Sequence, residues 1–383
     1  MTRQDKRKGL WALHGFGQKP WLDFISRDIL TSGELKRMIE EDGITGVTTN
    51  PSIFEKAVNS SSDYDVDIGK MAREGKSAGE IYEALAFRDV REAADLLKGV
   101  YDESKGTDGF VSIEVSPHFA ADVEATIESG VGIFNYLGKK NILIKVPATA
   151  EGNKAIEELL VKGVNINATL IFSIEQYEGV ARAYLRALKR RKDKGLSLSA
   201  VHSVASVFVS RIDTAVDKAL DRMAAEPGVI PGKAGIIREL RGRAAVANSC
   251  RVYHRYREIF SGREFRELET SGAALQNIVW GSTSTKDPSY SDVKYVEELI
   301  GRDTVNTIPL STVKAFKDHG TAGNTLDANL RGAGQIIEQL LSLGIDVDVV
   351  CRQIQYEGVR AFTDSYDNLF SSIEGKRQGF VKG

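Results

Sequence analysis

The chain has 383 residues, and its 51 lysines and arginines nearly balance its 53 aspartates and glutamates, for a formal net charge of −2. Without a basic excess we expect no nucleic-acid partner. The shares of hydrophobic residues (42%) and charged residues (27%) predict a globular chain rather than a disordered one, and the strand-length apolar runs predict no membrane span.

Eight short runs rich in β-branched or aromatic residues predict strands. They are Trp21–Ser26, Ile44–Asn50, Phe110–Val115, Asn141–Pro147, Asn165–Phe172, Val201–Val209, Gln276–Thr283 and Thr304–Leu310. Helical patterns lie between nearly all of them, and this alternation predicts parallel strands with right-handed crossovers. Eight such units favour a closed (β/α)8 TIM barrel. The alternative is an open doubly wound sheet, but no glycine-rich turn follows the first strand to support a dinucleotide site.

Three capping boxes predict where helices start. They span Thr31–Glu34, Ser77–Glu80 and Ser173–Gln176. Extra sequence after the second strand (59–99) predicts an additional helix, and 223–272 predicts a helical insertion before the seventh strand. Residues 328–370 predict C-terminal helices that pack back on the barrel. Because no linker divides the chain, we expect one domain over residues 1–383.

Several predicted strands place polar side chains opposite their apolar ones. Lys145 alternates with Ile144 and Val146, and Glu114 alternates with Ile113. The same pattern places Asp23, Asn50, Asn167 and Thr169 opposite apolar neighbours. Most lie late in their strands, at the end where barrel active sites are built; Asp23 is the exception, because its predicted strand continues to Ser26. A structural ion-pair core is the alternative, although such charges are costly to bury without a function.

These side chains suit imine chemistry. A lysine in a desolvated site has a lowered pKa, so its neutral amine can attack a ketone and form an imine that acts as an electron sink. Imine formation needs an acid to expel water and a retro-aldol step needs a base, and Asp23 and Glu114 could divide these tasks while Thr169 holds a water. Polyol hydroxyls could bind Asn50, Asn167 and Ser206. The five histidines form no pair at metal-ligand spacing, so we expect no metal.

Four ordered segments resemble the transaldolase family. They are Gly46–Phe54, Ile144–Pro147 followed by Glu151-Gly152, Asn165–Ser173 and Ser206–Asp213. The resemblance runs from about Asp23 to Leu310. It implies a class I transaldolase of the pentose phosphate pathway on a (β/α)8 barrel, with neither metal nor cofactor. Such an enzyme moves a dihydroxyacetone unit from fructose 6-phosphate or sedoheptulose 7-phosphate to erythrose 4-phosphate or glyceraldehyde 3-phosphate.

The resemblance also implies roles for individual residues. Lys145 is the Schiff-base nucleophile, and Asp23 accepts the proton of the C4 hydroxyl. Glu114 and Thr169 handle the catalytic water, and Arg211 binds phosphate. The dihydroxyacetone portion is bound by Asn50, Asn167 and Ser206.

The phosphate site departs from the pattern of the shorter transaldolases. They carry a Ser-x-Arg clamp, for which Ser284-Thr-Lys286 is the best counterpart here. Lysine binds phosphate as a point charge, without the two-pronged geometry of arginine. The chain length and the 223–272 insertion favour the longer, single-domain transaldolase subgroup.

Two other functions remain open: a Schiff-base aldolase that acts on a related ketose, and a sugar-phosphate-binding barrel without catalysis. We expect small sugar phosphates as partners, no membrane, and a monomer or homodimer. The two cysteines, Cys250 and Cys351, fit a reducing cytoplasm. The basic stretch 2–8 is not followed by an apolar segment, so we expect no signal peptide.

Overall fold

The computed structural model describes residues 9–226 and 230–382; the basic stretch 2–8 lies outside them. Eight parallel strands close into a barrel in chain order, which confirms the predicted (β/α)8 fold. The strands are β1 (Gln18–Leu22), β2 (Gly46–Val47), β3 (Val111–Glu114), β4 (Ile142–Pro147), β5 (Ile166–Ile171), β6 (Ser203–Phe208), β7 (Asn277–Gly281) and β8 (Thr304–Ile308).

Helices surround the barrel and fill the long connections. Those before β4 are α1 (Trp11–Gly15), α2 (Arg27–Thr31), α3 (Glu34–Arg37), α4 (Pro51–Ser60), α5 (Asp65–Arg73), α6 (Ala78–Leu96), α7 (Lys98–Glu103) and α8 (Val123–Leu137). Those between β4 and β7 are α9 (Ala150–Val161), α10 (Ile174–Asp193), α11 (Ser210–Ala224), α12 (Pro231–Leu240), α13 (Ala244–Phe260) and α14 (Arg263–Glu269). The remaining helices are α15 (Lys294–Glu298), α16 (Leu310–His319), α17 (Thr325–Ser342) and α18 (Val347–Lys382).

Two of the three predicted capping boxes are confirmed. Ser77 caps α6 and Ser173 caps α10, each with the reciprocal bond from its glutamate or glutamine. The predicted box at Thr31 is wrong. Thr31 ends α2 and its hydroxyl donates to the Arg27 carbonyl at 3.0 Å, so it is not available to cap. The next helix, α3, starts after Gly33, whose left-handed backbone (φ of 78°) separates it from α2.

The first strand begins and ends earlier than the predicted run. It is in register with β8, from Gln18 opposite Thr304 to Leu22 opposite Ile308. Asp23 follows immediately, and its N–H donates to the Ile308 carbonyl at 2.9 Å. Asp23 therefore lies at the carboxyl end of the barrel, and the apparent exception in the sequence pattern came from a misplaced strand boundary.

An apolar layer fills the barrel interior towards its N-terminal end. It consists of Trp21, Phe110, Leu143, Val204, Val279 and Val305. Side chains two or four positions apart lie on the same face of a strand. Each residue of the apolar layer is followed at that spacing by a residue nearer the carboxyl end of the barrel, as Leu143 is followed by Lys145. A Cβ on Gly46 would lie 2.5 Å from the Trp21 ring, so only glycine fits opposite this indole. This apolar layer therefore lies beneath the polar residues at the carboxyl end of the barrel.

The long helix α18 crosses the carboxyl end of the barrel. Its Cys351 thiol donates to the Phe172 carbonyl, and its Gln355 amide donates to the carbonyls of Ala148 (3.0 Å) and Leu170 (2.9 Å). Gly358 and Phe362 continue the same helical stripe, since successive members are three or four residues apart. Within the described ranges, no helix combines the length and apolarity needed to cross a bilayer.

Candidate active site at the carboxyl end of the barrel

A cavity of about 410 Å³ opens at the carboxyl ends of the strands. Its walls include eight of the ten predicted site residues: Asp23, Asn50, Lys145, Thr169, Ser206, Arg211, Ser284 and Lys286. The other two, Glu114 and Asn167, lie behind this wall, where each contacts one of its residues. The barrel thus brings all ten predicted residues to one end.

Lys145 lies at the centre of this group. The β3–β4 register places it directly opposite Glu114, with 2.5 Å between its Nζ and the glutamate Oε1. Its ammonium also donates to the Thr49 carbonyl at 2.8 Å, and the Phe362 ring centre lies 5.8 Å away. The side chain of Lys145 is only 5% exposed, so its one free approach is from the cavity.

Two carboxyl groups share the electrostatic field of Lys145. Burial raises the pKa of Glu114 above its usual range, and the nearby Asp23 charge adds to this, although Lys145 opposes it. Burial also raises the pKa of Asp23, against the opposing effects of Lys145 and of the 2.7 Å hydrogen bond donated by Thr48. Both groups are therefore better proton acceptors than exposed carboxylates, which is what acid–base chemistry near neutral pH requires.

Thr169 has an uncommitted hydroxyl. Its Oγ1 is buried and has no hydrogen-bond partner among the residues that the structure describes. The next residue, Leu170, has a φ of 58°, and the β5–β6 register shifts between Ala168 and Ile171. A left-handed leucine costs of order 1–3 kcal/mol, and such strain concentrates at functional sites. The bulge leaves the Thr169 hydroxyl free to hold water or substrate.

The two asparagines are already hydrogen bonded. Asn167 accepts from the Ser206 hydroxyl at 2.7 Å and donates to Ser112 at 3.0 Å. The Asn50 Oδ1 accepts from the Ile53 N–H at 3.1 Å and caps α4. Asn167 therefore orients Ser206 from behind, whereas the Asn50 amide nitrogen has no hydrogen-bond partner among the described residues.

Cations gather at one side of the cavity mouth. Arg211 stands in the first turn of α11 and forms no ion pair with any described acid, and burial lowers its pKa. Lys286 donates to Ser284 Oγ at 2.7 Å. Its pKa is lowered by desolvation at the cavity wall and then by the charges of Arg211 and Lys56. Such a cluster is suited to a phosphate, whose charge relieves the mutual repulsion.

Sequence reasoning missed several of the lining residues, among them Lys56 and Phe362. Lys56 lies on α4, six residues after Asn50, so the helical pattern after the Thr-Thr-Asn-Pro segment places it near the mouth. Phe362 comes from α18, and nothing in its local sequence connects it to Lys145. The helical spacing could have identified Lys56, but Phe362 required the tertiary fold.

Comparison with known proteins agrees with this geometry. The family model described as Transaldolase/Fructose-6-phosphate aldolase matches residues 20–373. "Transaldolase 2" of Nostoc punctiforme is 42% identical over 377 residues, covering 96% of this chain and 97% of the relative. "Transaldolase" of Mycobacterium tuberculosis is 41% identical over 371 residues, covering 96% of each. "Transaldolase" of Trichodesmium erythraeum is 40% identical over 369 residues, covering 96% of this chain and 97% of the relative. The chain therefore belongs to the transaldolase/fructose-6-phosphate aldolase family.

Proposed function

We propose that this protein is a class I transaldolase. It takes a dihydroxyacetone unit from fructose 6-phosphate or sedoheptulose 7-phosphate and gives it to erythrose 4-phosphate or glyceraldehyde 3-phosphate. In this proposal residues 1–383 act as one catalytic domain, in the cytoplasmic pentose phosphate pathway. The observation that carries the proposal is the buried Lys145 at the mouth of the barrel, which pairs with Glu114 and acts electrostatically on the half-buried Asp23.

Imine formation begins at Lys145. Glu114, 2.5 Å from Nζ, takes the ammonium proton and leaves a neutral amine that attacks the C2 carbonyl of the donor. The resulting carbinolamine loses its hydroxyl as water when the protonated Glu114 returns the proton. Thr169 Oγ1, without a partner among the described residues, holds that water. The raised pKa of Glu114 suits this exchange in both directions.

Cleavage then breaks the bond between C3 and C4 of the donor. Asp23 accepts the proton of the C4 hydroxyl, the C4–oxygen bond becomes a carbonyl, and the electron pair of the broken bond moves into the iminium to form an enamine. The aldose phosphate leaves. The acceptor aldehyde enters, the enamine carbon attacks its carbonyl, and Asp23 returns its proton to the new alkoxide. Water then hydrolyses the iminium and frees Lys145.

The substrate contacts follow from the walls of the cavity. Ser206 and the Asn50 amide face the dihydroxyacetone end, with Asn167 fixing the Ser206 hydroxyl. Arg211, Ser284 and Lys286 face the phosphate end. Phosphate contacts of this kind hold both donor and acceptor, so the incoming aldehyde takes the same orientation toward the enamine as the departing one.

Borohydride reduction tests the proposal directly. With fructose 6-phosphate, the reduced adduct should map to Lys145 and should carry three carbons. Lys145→Ala should fold and show neither trapping nor turnover, whereas Lys154→Ala, an exposed lysine on α9, should behave as wild type. An adduct at Lys140 or Lys154 would contradict the assignment. Without an acceptor, steady release of free dihydroxyacetone would instead identify an aldolase, and absence of any adduct would identify a non-catalytic barrel.

A further inference from the structure

A second cavity, of about 560 Å³, lies at the opposite end of the barrel. Asn141, immediately before β4, and His202, immediately before β6, are part of its wall, so it belongs to the N-terminal face. The rest of the wall comes from the end of α6, from α7, from the loops around Gly106 and Gly138 and from Ser199 in the loop before β6. The apolar layer around Leu143 separates it from the catalytic cavity.

Lysines dominate the rim of this cavity. Four of them, Lys98, Lys105, Lys139 and Lys140, face only two acids, Asp95 and Asp102. Lys98 pairs with Asp102 and Lys139 pairs with Asp95, which uses both carboxylates. Lys105 and Lys140 have no acidic partner among the described residues, so the rim carries two uncompensated positive charges.

Two neutral polar groups form the floor. His202 is 9% exposed, and its ring has no hydrogen-bond partner in the part of the chain that the structure describes; the same is true of the Tyr101 hydroxyl. A Cβ built on Gly106 would lie 3.2 Å from the Tyr101 hydroxyl and 3.4 Å from His202 Nε2. Both atoms therefore converge on the open face of Gly106, whose φ of +82° favours glycine.

The charges nearest the floor are of both signs: Lys19 acts on His202, whereas burial and then the charge of Asp102 raise the pKa of Tyr101. Burial and then the charge of Lys19 lower the pKa of His202 to about 4, so its ring is neutral at physiological pH. A neutral imidazole donates one N–H and a phenol donates its O–H, and neither brings a negative charge that would repel an anion. The cavity thus offers hydrogen-bond donors from Tyr101 and His202 at its floor and the unpaired ammonium groups of Lys105 and Lys140 at its rim. Phosphate oxygens bind to such a combination of donors and positive charges.

We propose that the cavity between Lys105, Lys140, Tyr101 and His202 is a second anion site, which binds a small phosphate ester. A phosphate dianion offers two charges for the two unpaired lysines and enough oxygens to accept from the tyrosine and the histidine as well. The cavity volume lies within the usual range for small-molecule sites. This site is independent of the imine chemistry and stands even if the proposed reaction is wrong.

Calorimetric titration with inorganic phosphate at constant ionic strength tests the site. The phosphate end of the catalytic cavity is first removed as a competitor by replacing Arg211, Lys286 and Lys56 together with alanine. This triple variant should still bind about one phosphate per chain. Adding Lys105→Ala and Lys140→Ala should weaken that binding by roughly a hundredfold, since each lost charge-assisted contact costs about a factor of ten. Adding Lys154→Ala and Lys162→Ala instead should leave it unchanged.

The two lysine variants alone, in an otherwise unchanged chain, should leave borohydride trapping at Lys145 intact. The site is refuted if phosphate binding disappears in the triple variant, or if the binding that remains in it does not depend on Lys105 and Lys140. Lys105→Gly adds a test in which the melting temperature and the phosphate affinity should change in opposite directions. Because Lys105 has a φ of 55°, glycine should raise the melting temperature while weakening phosphate binding. A melting temperature that rises with unchanged binding would show that Lys105 is not a ligand.

Discussion

Lys145 and Glu114 face each other across neighbouring strands, with 2.5 Å between Nζ and Oε1, at the point where β3 and β4 reach the barrel mouth. Glu114→Gln keeps the shape of the side chain but removes its proton exchange. We expect turnover to fall by about 10²–10⁴-fold, with a parallel fall in the rate of imine trapping. Glu128→Gln, on α8, is the control. Unchanged trapping would mean that the pair is only structural.

Asp23→Asn should separate imine formation from cleavage. Lys145 and Glu114 remain, so the donor still forms its imine, but no base accepts the C4 hydroxyl proton. Borohydride reduction with fructose 6-phosphate should then trap an intact six-carbon adduct, where the unaltered chain traps three carbons. Mass spectrometry of the labelled peptide distinguishes the two. A three-carbon adduct from the variant at normal yield would assign the base to another group.

The pH dependence should reflect the buried carboxyl groups. Asp23 must be deprotonated to accept a proton, and burial raises its pKa, so kcat/KM should decline as the pH falls through that raised value. The acid limb should therefore lie above the range of an ordinary aspartate, whose pKa is about 3.9. Thr48→Val removes the 2.7 Å hydrogen bond that stabilises the carboxylate and should move this limb to higher pH. A limb that does not move with Thr48→Val would contradict the assignment.

Phosphate recognition should depend on three cations. Arg211→Ala should lower kcat/KM for fructose 6-phosphate by about 10–100-fold, since a charge-assisted contact contributes roughly 1.5–3 kcal/mol. Lys286→Ala and Lys56→Ala should act in the same direction but more weakly, because lysine binds at a single point. Unphosphorylated fructose should lose much less, and Lys154→Ala should change neither donor. Equal losses on both sugars would show that these side chains only support the mouth.

Gln355 should act as a positioning residue. Its amide joins the ends of β4 and β5 through the carbonyls of Ala148 and Leu170, next to Thr169. Gln355→Leu should lower kcat by about tenfold or more through misplacement of these strand ends, while imine trapping persists. Gln353→Leu is a matched control, because Gln353 is exposed on the same helix and its one side-chain hydrogen bond among the described residues is to Glu357. Similar kcat values in the two variants would remove this role.

The barrel could be predicted from the sequence because the alternation of strands with helices is visible in short segments of the chain. Lys145 and Glu114 could be placed on the inner face from their neighbours alone, and Ser77 and Ser173 carry their capping signals within four residues. The end of β1 was harder to predict from sequence, because the residues after Leu22 are as apolar as the strand itself. The strand ends where its pairing with β8 ends.

Other features of the site have no local signal. Leucine is an ordinary strand residue, so the local sequence does not predict the left-handed backbone of Leu170. The bulge there is accompanied by contacts with β6 and α18. Phe362 belongs to a helix whose periodicity predicts its existence but not the surface on which it docks. Long-range packing decides both, and periodicity carries no information about it.

The path of α18 makes the order of synthesis matter for activity. A ribosome has made every strand, and every group proposed for the imine chemistry, before it reaches Val347. The ring over Lys145 and the amide that ties β4 to β5 are added only afterwards. A nascent barrel therefore contains Lys145 before that lysine is enclosed, and the last helix completes the enclosure. A chain that ended after β8 would lack both the Phe362 ring and the Gln355 amide, and its Lys145 amine would be less enclosed.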